Sequence, residues 1–157
     1  MILGDPEKFA FIIERIPEWE NDSYKNGIMF VIINDEIYPK TARTTTFNSE
    51  LPDILSLDSA FMAPVVDVEL YEKSDKEIIA CVSDEDNTNY YRYFIPFHEI
   101  NDSGYRIYII SNGSKVKIIV CKIEIETLEV VDKLVLPLGE YDRIKSQVFD
   151  FWNSSDI

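Results

Sequence analysis

The residues that could do chemistry are few and scattered. His98 is the only histidine, in Phe97-His98-Glu99. One imidazole cannot complete a zinc site, and no Gly-x-Ser-x-Gly elbow accompanies it. Only five glycines exist and none cluster, so no phosphate-cradling loop is present. Cys81 and Cys121 sit in apolar, strand-like surroundings. They read as small buried hydrophobes of a reducing compartment. Asp67 and Glu69 are two residues apart. On one strand face they would stand about 7 Å from each other. That spacing could hold a divalent cation or divide acid and base roles. Glu124 and Glu126 repeat it. Such pairs are common on solvated strands, so no catalytic residue, metal or cofactor is assigned.

Charge is more informative. Asp and Glu number 29 against 15 Lys and Arg, a net charge of −14 over 157 residues. Such a surface repels nucleic acid and anionic membrane, and attracts basic protein surfaces. The excess concentrates in the middle of the chain. From Asp67 to Asp86, eight acids face only Lys73 and Lys76, a net of −6.

Within that block, Asp84, Glu85 and Asp86 run through Asn87 and Asn89 into Tyr90, Tyr91 and Arg92. A tyrosine flanked by carboxylates suits a basic protein partner: the ring buries area and the acids steer. If Tyr91, Tyr93, Ile95 and Phe97 point inward along a strand, Tyr90 is the exposed ring. The candidate partner-binding residues are therefore Asp84, Glu85, Asp86 and Tyr90. Asp67, Glu69 and Tyr71 on a neighbouring strand come next.

The elements that would position these residues are mostly strands. Phe9–Ile13, Ile28–Ile33 and Glu36–Pro39 have strand length and composition, with Asn34-Asp35 as a tight turn. Thr41–Asn48 reads as a loop or weak strand, and 49–62 as a modest helix with Pro52 in its first turn. Val66, Val68 and Leu70 alternate with Asp67, Glu69 and Tyr71, the period of a half-buried strand. Glu77–Val82 reads as another. Asn112-Gly113 suits a type I′ turn, which would place Ile109 opposite Val116 and Ile107 opposite Ile118. The apolar parity then shifts at Cys121, which signals a bulge or a strand buried on both faces. Glu129–Leu136 is a further strand. Tyr141, Ile144, Val148 and Phe151 mark a helix over 138–152. Strands and helices do not alternate, so the expected fold is α+β. It is a single domain over 1–157, largely antiparallel, with a C-terminal helix packed on the sheet. No apolar run approaches the roughly 20 residues of a membrane-spanning helix. The first residues lack the basic and apolar regions of a secretory signal, so a cytoplasmic location is expected.

Gly4-Asp5-Pro6, Phe9, Trp19, Gly27, Asn34 and Tyr38-Pro39, in that order and spacing, resemble the immunity protein 42 family of bacterial polymorphic toxin systems. The resemblance is carried by residues 1–40. It implies a small cytoplasmic α+β protein, encoded beside a toxin, that binds and neutralises it. It supplies no catalytic residue or cofactor. The implied partner is a toxin domain with a basic surface, such as a nuclease needs for its substrate.

Two readings from other classes stay open. A secretion chaperone is also small, acidic and α+β, but would dimerise and bind an extended, unfolded segment. A carboxylate-based hydrolase would respond to metal.

Overall fold

A computed structural model describes residues 1–154. Its strands are β1 Ile2–Asp5, β2 Phe9–Arg15, β3 Asn26–Ile33, β4 Glu36–Tyr38, β5 Thr44–Thr46, β6 Tyr105–Ser111, β7 Lys115–Ile123 and β8 Leu128–Pro137. Its helices are α1 Phe47–Ile54, α2 Val68–Tyr71, α3 Asp75–Val82, α4 His98–Asp102 and α5 Leu138–Asn153. The expected antiparallel α+β fold with a C-terminal helix is present.

The strands make two antiparallel sheets. The first runs β1-β2-β3-β4, with β5 pairing the other end of the same β3 edge. The second runs β6-β7-β8. The sequence motif of the N-terminal half explains the first sheet. Gly4 has φ +106°, and a Cβ there would lie 2.5 Å from the Phe9 carbonyl oxygen. Asp5 turns the chain into β2 by accepting the Glu7 N–H at 2.9 Å. Gly27 lets β3 approach β2 so closely that a Cβ would sit 2.0 Å from the Glu14 carbonyl oxygen. Asn34 and Asp35 both adopt positive φ, which closes the β3–β4 hairpin as expected.

Phe9, Phe11, Ile13, Met29, Val31 and Ile33 point from the first sheet into the main core. Ile107, Ile109, Val116, Ile118 and Val120 meet them from the second, and Tyr141, Ile144 and Val148 of α5 close the end. The second sheet is apolar on its outer face too. There Tyr108, Ile110, Ile119 and Cys121 pack under Leu70, Ile78, Ile79 and Val82 of α2 and α3. By strand parity, the outer face of the first sheet carries Ile2, Ile12, Ile28, Phe30, Ile32 and Ile37. Ile2 and Ile37 are 54% and 44% exposed.

The β6–β7 hairpin differs from expectation by two residues. Ser111 pairs with Val116 and Ile109 with Ile118. Only Gly113 has positive φ, at +95°, and the corner is Gly113-Ser114. The Asn112 side chain accepts the Ser114 and Lys115 N–H groups. That Asx-type bonding moves the turn one residue on. A shift of two keeps every side chain on its expected face. Both parts of the Cys121 expectation hold. The strand β7 is buried on both faces, and its register with β8 slips between Val120 and Cys121.

Three further expectations are corrected. The chain at Val68–Tyr71 is a helical turn, not a strand, because the Asp67 carboxylate accepts the Leu70 N–H at 2.9 Å and caps it. Asp75–Val82 is a helix because Ser74 and Glu77 have capping-box spacing, with the Glu77 N–H donating to Ser74 Oγ at 3.2 Å. The helix expected over 49–62 ends at Ile54. Pro52 lies in its second turn, where it has no N–H to continue the ladder.

Candidate functional site

The acidic segment follows directly on the C-terminus of α3. Acids in the first turn of α3, Asp75 and Glu77, complement the helix dipole. Asp84, Glu85 and Asp86 do the opposite: they add negative charge at the negative end. All three are exposed. The segment is organised by its own bonds. Asp84 Oδ1 accepts the Asp86 N–H at 3.0 Å, and the Asn87 N–H donates to the Asp84 carbonyl at 3.0 Å.

Tyr90–Arg92 is a 3₁₀ turn rather than a strand, so the expected order of Tyr90 and Tyr91 reverses, while Ile95 and Phe97 are buried as expected. Tyr91 is the exposed ring, at 55%, whereas Tyr90 is half-buried against Tyr91 and Phe94. Arg92 donates to the Ala63 carbonyl at 3.1 Å and pins the turn.

The second candidate group is dispersed. Asp67 is occupied as the cap of α2, Glu69 is exposed, and Tyr71 is buried. Asp67 and Glu69 share no strand face. Glu124 and Glu126 lie in the β7–β8 turn, also off any strand. Among the described residues, no three His, Cys, Asp or Glu side chains group to hold a metal ion. Cys81 is exposed on α3, contrary to expectation, while burial pushes the Cys121 thiol up to about 12. His98 Nε2 lies 2.6 Å from Asp53 Oδ2 on the surface.

Sequence reasoning missed a cleft of about 720 Å³ between α3 and the β7–β8 turn. Ile79, Ala80 and Glu85 line one side; Ile123, Leu128 and Val130 line the other. Arg106 of β6 also lines it. Its guanidinium lies 4.9 Å over the Phe94 ring, and its Nε is buried without a partner. The capping box at Ser74 was the signal that could have placed α3 over the sheet. Nothing in the sequence marked the overhang of the turn.

The model of a family described as immunity protein 42 matches residues 1–151. The chain belongs to the immunity protein 42 family. The motif residues of the family resemblance are those that build the first sheet and its turns. Two of them also tie the sheets together: Asn34 Nδ2 and the Tyr38 hydroxyl donate to Asp132 at 3.2 and 3.4 Å. Asp132 sits at the β7–β8 register slip. No curated protein matches the sequence. Among solved structures, the fold is similar to CdiI from Burkholderia dolosa AUO158, with a TM-score of 0.74 and 20% identity. The match covers 97% of this chain and 98% of that one. No helix among the described residues is long and apolar enough to cross a membrane.

Proposed function

We propose that this protein is a toxin-neutralising immunity protein. It acts in the cytoplasm of the cell that makes the toxin, by binding and not by catalysis. Membership of the immunity protein 42 family over residues 1–151 carries this reading. The net charge of −14 supports a basic partner surface. A nuclease fits, since it must hold a polyanion. An acidic inhibitor covering that surface associates faster than a neutral one, by about 10–10³-fold at low salt.

The proposed contact region is led by Asp84, Glu85 and Asp86, with Glu69 on the same side of the second sheet. Tyr91, the exposed ring, takes the anchoring role in place of Tyr90. Asp67 and Tyr71 hold α2 in place, the first as its cap and the second through Lys117.

The test is co-expression with the toxin domain encoded beside this gene. Cells should survive the toxin only with the intact protein, and the two purified folded domains should form a stable complex. Binding confined to an unfolded toxin segment would make the protein a secretion chaperone instead.

A further inference from the structure

The cleft between α3 and the β7–β8 turn combines two properties that point to one kind of occupant. Its walls are apolar and incompletely covered: Ile123, Leu128 and Val130 are half-buried, and Ile125 at the turn is 101% exposed. Its edges are acidic. Glu85, Glu124 and Glu126 line it against Lys76 and Arg106, and Asp84 and Asp86 flank Glu85. Lys122 approaches Glu124 only to 3.9 Å, so that acid stays available. Arg106 is held in the wall, its Nη1 donating to the Tyr108 hydroxyl at 3.4 Å and its guanidinium lying over the Phe94 ring.

The overhang that forms the cleft follows from the register. Strand β6 begins at Tyr105, opposite Lys122, and the Ile123 N–H donates to the Gly104 carbonyl at 2.8 Å. Beyond that point the β7–β8 turn has no third strand beside it. It stands free opposite α3, with space between them.

We propose that this cleft receives an apolar side chain of the toxin, flanked there by Lys or Arg residues. The apolar group fills the space over Ile79 and Leu128. The flanking cations meet Glu85 on one rim and Glu124 and Glu126 on the other. A second copy of this chain does not fit, because it would bring a further −14 to an already acidic rim. The inference rests on the immunity reading and assigns it a docking point.

The experiment measures Kd for the folded, catalytically inactivated toxin domain against four forms of the full chain. Ala80→Trp fills the cleft from an exposed helix position. Ile125→Lys changes a fully exposed side chain and repels a basic partner. Ile37→Lys changes the outer face of the first sheet and serves as the control. Thermal melts confirm that each variant folds. Ala80→Trp and Ile125→Lys should each weaken binding by about 30-fold or more, the size expected for a central anchor, with Ile37→Lys unchanged. Wild-type affinity in both cleft variants overturns the docking point while leaving the immunity reading intact. If Ile37→Lys alone abolishes binding, the toxin docks on the first sheet. No binding by the wild-type chain overturns both readings together.

Discussion

Lys117 donates its ammonium to the Tyr71 carbonyl at 2.7 Å while lying 4.2 Å over the ring of the same residue. One lysine thus closes the C-terminal end of α2 and stacks on its last side chain. Strand alternation places Lys117 on the face opposite the main core, and that is where it lies. The face is roofed by α2 and α3, so the side chain is 8% exposed. Burial lowers its pKa from the usual lysine value. Lys117→Ala should cost about 1–3 kcal/mol, the range for leaving a buried acceptor unpaired. Hydrogen exchange should rise at Leu70 and Tyr71 more than in α5. Equal rises in both would mean the bond does not hold α2 locally.

That roof is also where sequence reading failed, for a physical reason. Val66, Val68 and Leu70 alternate as a strand would, yet Val66 and Val68 are exposed and only Leu70 is buried. A period of two over five residues cannot outweigh the Asp67 cap that starts α2. The elements that were legible had redundant signals. Asn34-Asp35 between two apolar runs gave a turn with two strands to align it. Tyr141, Ile144 and Val148, with exposures of 0%, gave a helix stripe about two turns long. The acidic segment was legible as charge. Strand parity makes Tyr90 its exposed ring, and the 3₁₀ turn there exchanges the two tyrosines.

The glycines separate crowding from backbone strain. Gly27→Ala places a methyl against the Glu14 backbone, which cannot move without parting β2 from β3. It should cost about 3 kcal/mol or more. Gly113→Val meets only Val66 Cγ1, at 3.9 Å, but must hold φ near +95°. It should cost about 1–2 kcal/mol. Urea melts of both variants check the order; a larger loss at Gly113 would contradict the close approach at Gly27.

Glu50 makes stability pH-dependent. It is 2% exposed, its Oε1 has no hydrogen-bond partner, and burial pushes its carboxyl up from 4.5 to about 7. The His98 ring and the backbone N–H groups of His98 and Glu99 in α4 oppose the shift, while the Glu99 carboxylate adds to it. The native state therefore keeps a proton that the unfolded chain has released. This contribution is complete below the unfolded value of 4.5 and is lost as pH rises through about 7. At about 1.4 kcal/mol per unit, roughly 3 kcal/mol disappears between about pH 5 and 8. Glu50→Gln removes the titration. It should flatten this part of the profile and exceed wild type in stability at about pH 8. Parallel profiles for the two proteins would show that Glu50 ionises without penalty.

The acidic segment and its tyrosines should divide the kinetics of toxin binding between them. Asp84 and Glu85 are exposed and make no ion pair among the described residues. Their field acts before contact, so Asp84→Lys with Glu85→Lys should slow association by about 10-fold at low ionic strength. The difference should fade as the Debye length falls to about 3 Å near 1 M salt. Tyr91→Ala should act after contact, speeding dissociation by about 10-fold or more with little effect on association. Tyr90→Ala should instead lower stability, because its ring packs on Phe94 and supports Tyr91. Stopped-flow association across a salt series, with dissociation followed by competition, measures each term separately. Wild-type association in the double lysine variant at every salt concentration would remove this segment from the encounter surface.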